Sequence, residues 1–310
     1  MTGNTLGWVI VAFVLYLLMM IAIGAFYAKG NNNSEDYFLG GRKLNGFVAA
    51  LSAQASDMSG WLLMGLPGAI YLTGVGGDGW IAIGLFIGTT LNWLFIATKL
   101  RRYTIRANNS VTLPTYFENR FHDEKKVLMA VSSITIVVFF LVYCASALSA
   151  GGQLFESVFG IDYHVALTIG ALVVLVYTFL GGFTAVCVTD FIQGMLMLVG
   201  ILAVPLFAYH FLTGNGTTLA AGLEASGADS ANFLNLMKNG DGSNNIISVI
   251  SGLGWGLGYF GMPHILLRFM AIEDEKKLVL SRRIASVWVV IAMTASIVIG
   301  MVGLGMTKVG

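Results

Sequence analysis

The sequence predicts an all-α integral membrane protein whose helices repeat in inverted order. Three observations predict it: a composition too apolar for a wetted surface, eight long apolar runs, and two broken runs an odd number of spans apart. Of the 310 residues, 56% are hydrophobic and only 11% are charged, where a soluble domain carries about 25% charged residues. The 39 Gly, 14 Met and 20 Phe suit packed membrane helices, in which Gly is commoner than in soluble ones. Lys+Arg 17 against Asp+Glu 16 leaves a net charge of +1, which excludes a nucleic-acid binder acting through a basic face. The two cysteines, Cys144 and Cys187, lie in apolar surroundings and suggest no disulfide framework.

A helix needs roughly 20 mostly apolar residues to cross a bilayer. The runs that meet this are approximately Leu6–Ala28, Leu44–Thr73, Trp80–Thr98, Val127–Ala150, His164–Leu180, Phe191–Leu212, Ile246–Ala271 and Ile284–Met306. The first is too long for a signal-peptide core and has no basic residue before it, so it is expected to stay as a span. None shows the period-two alternation of a half-buried strand.

Basic residues set the expected orientation. Lys29, Arg42 and Lys43 follow span 1. Lys99, Arg101, Arg102, Arg106, Arg120, Lys125 and Lys126 follow span 3. Arg268, Lys276, Lys277, Arg282 and Arg283 surround the connection from span 7 to span 8. With alternating spans, 15 of the 17 basic residues fall on one face, leaving Lys238 and Lys308 opposite. The positive-inside rule makes that face cytoplasmic and the amino terminus extracytoplasmic. The polar stretch from Thr213 to Asn245 reads as a passive extracytoplasmic linker. Arg101–Lys126 reads as a solvated loop or a cationic segment lying on the membrane surface.

Span 2 carries Ala53-Gln54-Ala55-Ser56-Asp57-Met58-Ser59-Gly60-Trp61 at its centre. A mid-span Asp costs about 2.5–3.5 kcal/mol on insertion scales, so Asp57 is expected to serve a site. Ser56 and Ser59 compete for local backbone bonds, Gly60 weakens the helix, and Pro67 follows. An unwound turn is expected, covered by protein or lining a cavity. Its freed carbonyls and a carboxylate are hard oxygen ligands suited to a small cation, with a simple kink and a hydrogen-bonded Asp57 as the alternative. Span 7 breaks in Ser251-Gly252-Leu253-Gly254-Trp255-Gly256-Leu257-Gly258-Tyr259-Phe260-Gly261-Met262-Pro263. Five glycines and a proline in thirteen residues do not hold a regular helix. Rings among bared backbone suggest a small apolar ligand pocket, with glycine-mediated helix packing as the alternative. Spans 2 and 7 are five apart, so the broken element enters the membrane from opposite sides. That is the sequence mark of an inverted-repeat transporter with its site at the midplane. Spans 2–6 would form one repeat and spans 7–11 the other, of which spans 7 and 8 are present.

Asp36-Tyr37-Phe38-Leu39-Gly40-Gly41-Arg42, Gly181-Gly182-Phe183-Thr184-Ala185-Val186 and Thr189-Asp190-Phe191-Ile192-Gln193 resemble the sodium/solute symporter family. Ser56–Ala69, Val142-Tyr143-Cys144-Ala145-Ser146 and Gly254–Gly261 are similar to its proline-carrying members. The likeness runs over essentially the whole chain.

The resemblance implies a five-plus-five inverted-repeat fold with an extra helix in front, and uptake of L-proline coupled to Na+ in a cell membrane. The chain would be one polytopic domain, 1–310, with 44–212 as the first repeat and 246–310 as the start of the second. The sodium site would use the backbone at Ala55 and Met58, with Asp57, and with Ser59 and Gly60 nearby. The proline pocket would use Trp61, Tyr143, Trp255, Tyr259 and Pro263. Asp190 would match a family aspartate implicated in gating or ion passage; a charge stabilised at a helix amino terminus is the alternative. Na+ would be the coupling ion, with no other cofactor or metal and no obligatory protein partner.

This sequence departs from the family's pattern at Val188 (commonly Trp), at Met262 (where glutamine is expected) and at Gln54 (a small residue elsewhere). Relatives continue past this length, and a later span adds Ser/Thr hydroxyls to the sodium site, so the chain is expected to be a piece of a longer symporter. The same scaffold carries other solutes and serves as a membrane sensor module, which remain the alternatives. An enzyme is not expected: His122, His164, His210 and His264 do not cluster in sequence, and no nucleophile or metal motif stands out.

Overall fold

The computed structural model describes residues 3–309; Met1, Thr2 and Gly310, at the edges of the expected 1–310 domain, lie outside the described residues. In chain order the helices are α1 (Gly3–Ala28), α2 (Ser34–Leu39), α3 (Gly46–Gly60), α4 (Leu66–Thr73), α5 (Val75–Asn92), α6 (Thr98–Arg106) and α7 (Leu113–Phe121). They continue as α8 (Val127–Phe159), α9 (Tyr163–Gly214), α10 (Leu219–Ala225), α11 (Ser230–Phe233), α12 (Ile246–Trp255), α13 (Pro263–Ala271) and α14 (Lys277–Gly305). Wide π-type turns at Trp61–Gly65 and Trp93–Ala97 join α3 to α4 and α5 to α6, and a 3₁₀ segment, Gly256–Gly261, follows α12.

Among the described residues, five helical stretches are long and apolar enough to cross a membrane: Gly7–Ala28, Val75–Arg106, Val127–Phe159, Tyr163–Gly214 and Lys277–Gly305. Ile246–Gly261 with Pro263–Ala271, bent by 47°, makes a sixth if counted as one span. Two physical causes separate this from the expected eight. Span 2 is divided at Ser59 (φ 45, ψ −156), so neither part is long enough alone. Spans 5 and 6 run on as α9, whose 52 residues would extend about 78 Å if straight, against a hydrocarbon core of roughly 30 Å. The chain bends instead at Gly182 (φ 61, ψ −158), between the two expected spans.

The chain forms two compact units. The first comprises Met1–Ser52, Lys99–Ile192 and Leu267–Lys277, and the second Ala53–Thr98, Gln193–Leu266 and Leu278–Gly310.

In the first unit the Gly-Gly-Arg motif acts as a structural knot. Asn33 caps α2 by accepting from the Asp36 amide. Gly40 and Gly41 then adopt left-handed φ of 60 and 59, a conformation that glycine takes without steric cost. This reversal buries Arg42, which donates to Glu35, Asn109 and the carbonyls of Met270 (2.9 Å) and Ser110 (2.8 Å). Burial, then the nearby Arg101 charge, holds the Arg42 guanidinium below its ordinary pKa. Arg101 in turn donates to the Ile272 carbonyl at 2.6 Å, and an isolated bridge pairs Leu44 with Ile272. Two basic residues that mark orientation in the sequence, Arg42 and Arg101, thus also satisfy carbonyls at the end of α13. Arg101–Lys126 is not a plain loop: it ends α6 and forms α7, which Thr112 caps.

The second unit is organised by close helix packing. A Cβ on Gly88 of α5 would lie 2.5 Å from Gly256 Cα, and one on Gly84 would lie 2.8 Å from Leu253 Cα. Only residues without side chains permit that approach. The stretch expected to be a passive linker is packed: Leu223 and Phe233 are buried, and Asn245 donates to the carbonyls of Gly76 and Leu236. This stretch therefore anchors the amino-terminal end of α5.

Candidate functional site

The break in α3 and the break after α12 meet within the second unit. Ser59 leaves the helical region, and the Trp61 amide turns to the Ser59 hydroxyl at 3.4 Å. A helix interrupted in this way bares carbonyls that a regular helix would pair. Asp57 lies two residues before the break with its side chain only 5% exposed. The Tyr259 hydroxyl, from the 3₁₀ segment, donates to Asp57 Oδ2. His264 Nε2, one residue into α13, stands 3.9 Å from Asp57 Oδ1. The rings of Trp61 and Trp255 stack at 5.7 Å with 23° between planes, and Trp255 is 50% exposed.

Asn92 of α5 fixes the 3₁₀ segment by donating to the Tyr259 carbonyl at 2.8 Å, which aims the buried tyrosine. The Ser296 hydroxyl of α14 similarly donates to the Leu62 carbonyl at 2.7 Å, inside the wide turn after α3. Met262 is extended (φ −73, ψ 107), and Pro263 starts α13, where a proline lacks no needed donor.

Of the sequence-predicted residues, Ala55, Asp57, Met58, Ser59, Gly60, Trp61, Trp255, Tyr259 and Pro263 all belong to this second unit. Ala55 and Met58 are buried. Tyr143 and Asp190 belong to the first unit. Tyr143 is half-buried on α8 beside Phe140, ring centroids 5.6 Å apart. Asp190, inside α9, accepts from Ser52 Oγ at 2.8 Å and from Arg268 at 2.7 Å. It does not stand at a helix amino terminus. Sequence reasoning gave Asn92 no role and read His264 only as one of four unclustered histidines. An asparagine inside an apolar run was the available signal for the first; nothing in the sequence pairs His264 with Asp57.

Chemically, a carboxylate and hydroxyl groups gather at the interrupted turn, and beside them lie two indoles and a phenol. Such a set fits a small hard cation next to a compact, partly apolar molecule.

A model of the sodium:solute symporter family matches residues 37–309. The chain belongs to that family. Among curated relatives, it is 44% identical to the sodium/proline symporter of Escherichia coli K12, over 95% of this chain and 57% of the relative. It is 46% identical to the sodium/proline symporter of Haemophilus influenzae, over 94% of this chain and 57% of the relative. It is also 46% identical to the high-affinity proline transporter of Bacillus subtilis, over 92% and 58%. The chain thus spans a little over half the length of these relatives. In fold it resembles a Na+-coupled sialic acid symporter solved in a substrate-bound, outward-open state, with a TM-score of 0.77 over 94% of this chain and 60% of that one, at 20% identity. For a sodium:solute symporter, long apolar helices and family membership together make the chain a multi-pass membrane protein.

Proposed function

We propose that this chain belongs to a symporter that carries L-proline into the cell with Na+ by alternating access, and is not an enzyme. The observation that supports this reading most is the bond from Tyr259 to Asp57, which ties the candidate ion residue to the candidate substrate pocket. Na+ is cargo here, held by Asp57 and the backbone at Ala55 and Met58, with Ser59 and Gly60 shaping the turn. Asp57 gives up a hydrogen bond from Tyr259 when it turns to the ion, so ion binding frees a hydroxyl at the substrate side and orders the opened turn. Proline then meets a pocket of Trp61, Trp255, Tyr259 and Pro263. Two ligands that favour the same ordered state bind cooperatively. Inward movement of one positive charge contributes about 2.3 kcal/mol per 100 mV.

The fold we assign is the five-plus-five inverted repeat with an extra helix in front, eight spans in a single polytopic domain. The first repeat covers 44–212 and the second begins at 246, and the amino terminus is extracytoplasmic. Asp190 serves gating or ion passage, through its pairing with Arg268, and Na+ is the coupling ion, with no cofactor.

Binding of labelled L-proline to the purified symporter that contains this chain, in lipid nanodiscs, tests the proposal. Binding in NaCl should exceed binding in choline chloride at equal ionic strength, and unlabelled proline should compete where sugars, pantothenate and simple carboxylates do not. Competition by one of those solutes instead would reassign the substrate. Binding indifferent to Na+ would end the symport reading.

A further inference from the structure

Buried polar side chains find hydrogen-bond partners, because an amide taken from water without them is costly to hold. Gln54 does not follow this rule. Its exposure is 0%, and neither Oε1 nor Nε2 has a partner among the described residues. An apolar side chain of that size would fill the space without this penalty.

Its position suggests what the amide is for. Gln54 lies on α3 five residues before the Ser59 break. Helical spacing places it on the face of Asp57, three residues on, and Met58, four residues on. That face carries a carboxylate and leads into an opened turn with bared carbonyls, so it favours positive charge. A carboxamide oxygen is a hard, neutral ligand of the same kind as a backbone carbonyl. It extends an oxygen set without adding a second negative charge, which a low-dielectric site would tolerate poorly.

We propose that Gln54 is a further cation-contacting residue, its Oε1 supplying an oxygen to the Na+ held at Asp57. This rests on the symport reading. The two Nε2 hydrogens are then served by water that enters with the ion. Gln54 thereby sets how strongly this chain holds Na+.

Gln54→Leu keeps roughly the volume and removes both polar atoms. The readout is the melting temperature of the purified symporter that contains this chain, in nanodiscs, with NaCl replacing choline chloride at constant ionic strength. A ligand that binds the folded state raises that temperature according to its affinity. Gln54→Leu should melt in choline at least as high as the unaltered chain, yet need about tenfold more Na+ for the same rise. The proline concentration for half-maximal binding at saturating Na+ should not move. If Gln54→Leu melts higher and answers Na+ as before, the amide is a water-filled packing defect and the proposal falls, while the symport reading stands. A shift in proline affinity alone also overturns it. If the unaltered chain shows no Na+ response, both fall together. Gln54→Met guards against a Leu variant that fails to fold: it keeps the unbranched length and removes both polar atoms, so it too should need more Na+ than the unaltered chain, and an unchanged Na+ requirement would refute the assignment.

Discussion

Arg268 is the residue whose loss should damage the first unit most. Its side chain is 4% exposed and it donates to Asp190 Oδ2 at 2.7 Å, while its Nε donates to Ser52 Oγ at 3.0 Å. Ser52 donates to the same Asp190 oxygen at 2.8 Å, and the guanidinium lies over the Phe183 ring at 5.5 Å. Three chain segments far apart in sequence are joined there. Arg268→Met would leave the Asp190 carboxylate, 12% exposed, facing apolar surroundings with its cation gone. Breaking a buried pair from one side costs about 3–5 kcal/mol, whereas replacing both charges by neutral groups is often neutral or favourable. A double-mutant cycle therefore has a definite expected shape. Arg268→Met should lower the unfolding free energy by about 3–5 kcal/mol, and adding Asp190→Asn should restore at least about 2 kcal/mol of it. The assay is denaturant unfolding in detergent micelles followed by tryptophan fluorescence, with each variant measured under the same conditions. Costs that simply add, with Arg268→Met and Asp190→Asn together worse than either alone, would refute the claim that this pair is held as a pair.

Three further expectations concern the second unit. Asp57→Cys should raise the Na+ concentration for half-maximal proline binding at least tenfold, and an unchanged requirement would remove Asp57 from the ion site. Trp255→Ala and Tyr259→Ala should weaken proline binding more than Na+ binding in equilibrium titrations; equal losses would signify general damage instead of a pocket. Gly88→Ala sets a methyl group against the Gly256 backbone, an overpacking that costs about 1–3 kcal/mol. Its melting temperature should fall, and a variant as stable as the original would contradict the close approach of α5 to the 3₁₀ segment.

Much of the fold was legible because it depends on local chemistry. Apolar runs give spans wherever a single helix suffices, and the Ser-Asp-Met-Ser-Gly and glycine-proline strings mark interruptions regardless of neighbours. The break at Ser59 follows directly from the residues around it. The continuity of α9 through Val186–Gln193 was less legible, since Asp190 looks like a boundary residue until Arg268 and Ser52 are known to neutralise it. Arg42 shows the same limit: as a basic residue it marks a loop, but its burial depends on carbonyls of Ser110 and Met270, 68 and 228 positions away. In the site, residue types announced a cation and a ring-lined pocket. The pairing of Asp57 with Tyr259 and His264, and the bond from Asn92 that orients Tyr259, arise only when distant segments pack. The orphaned Gln54 amide is likewise visible only once burial is known.

The central claim is that one site couples two ligands, and equilibrium binding tests it most directly. Linkage requires that if Na+ raises proline affinity by some factor, proline raises Na+ affinity by the same factor. Both titrations belong on the same nanodisc preparation, with labelled proline across a Na+ series and with Na+-dependent tryptophan fluorescence across a proline series. The account predicts matching factors well above one, and a loss of both in Asp57→Cys. Proline binding that ignores Na+, with Na+ binding that ignores proline, would contradict it.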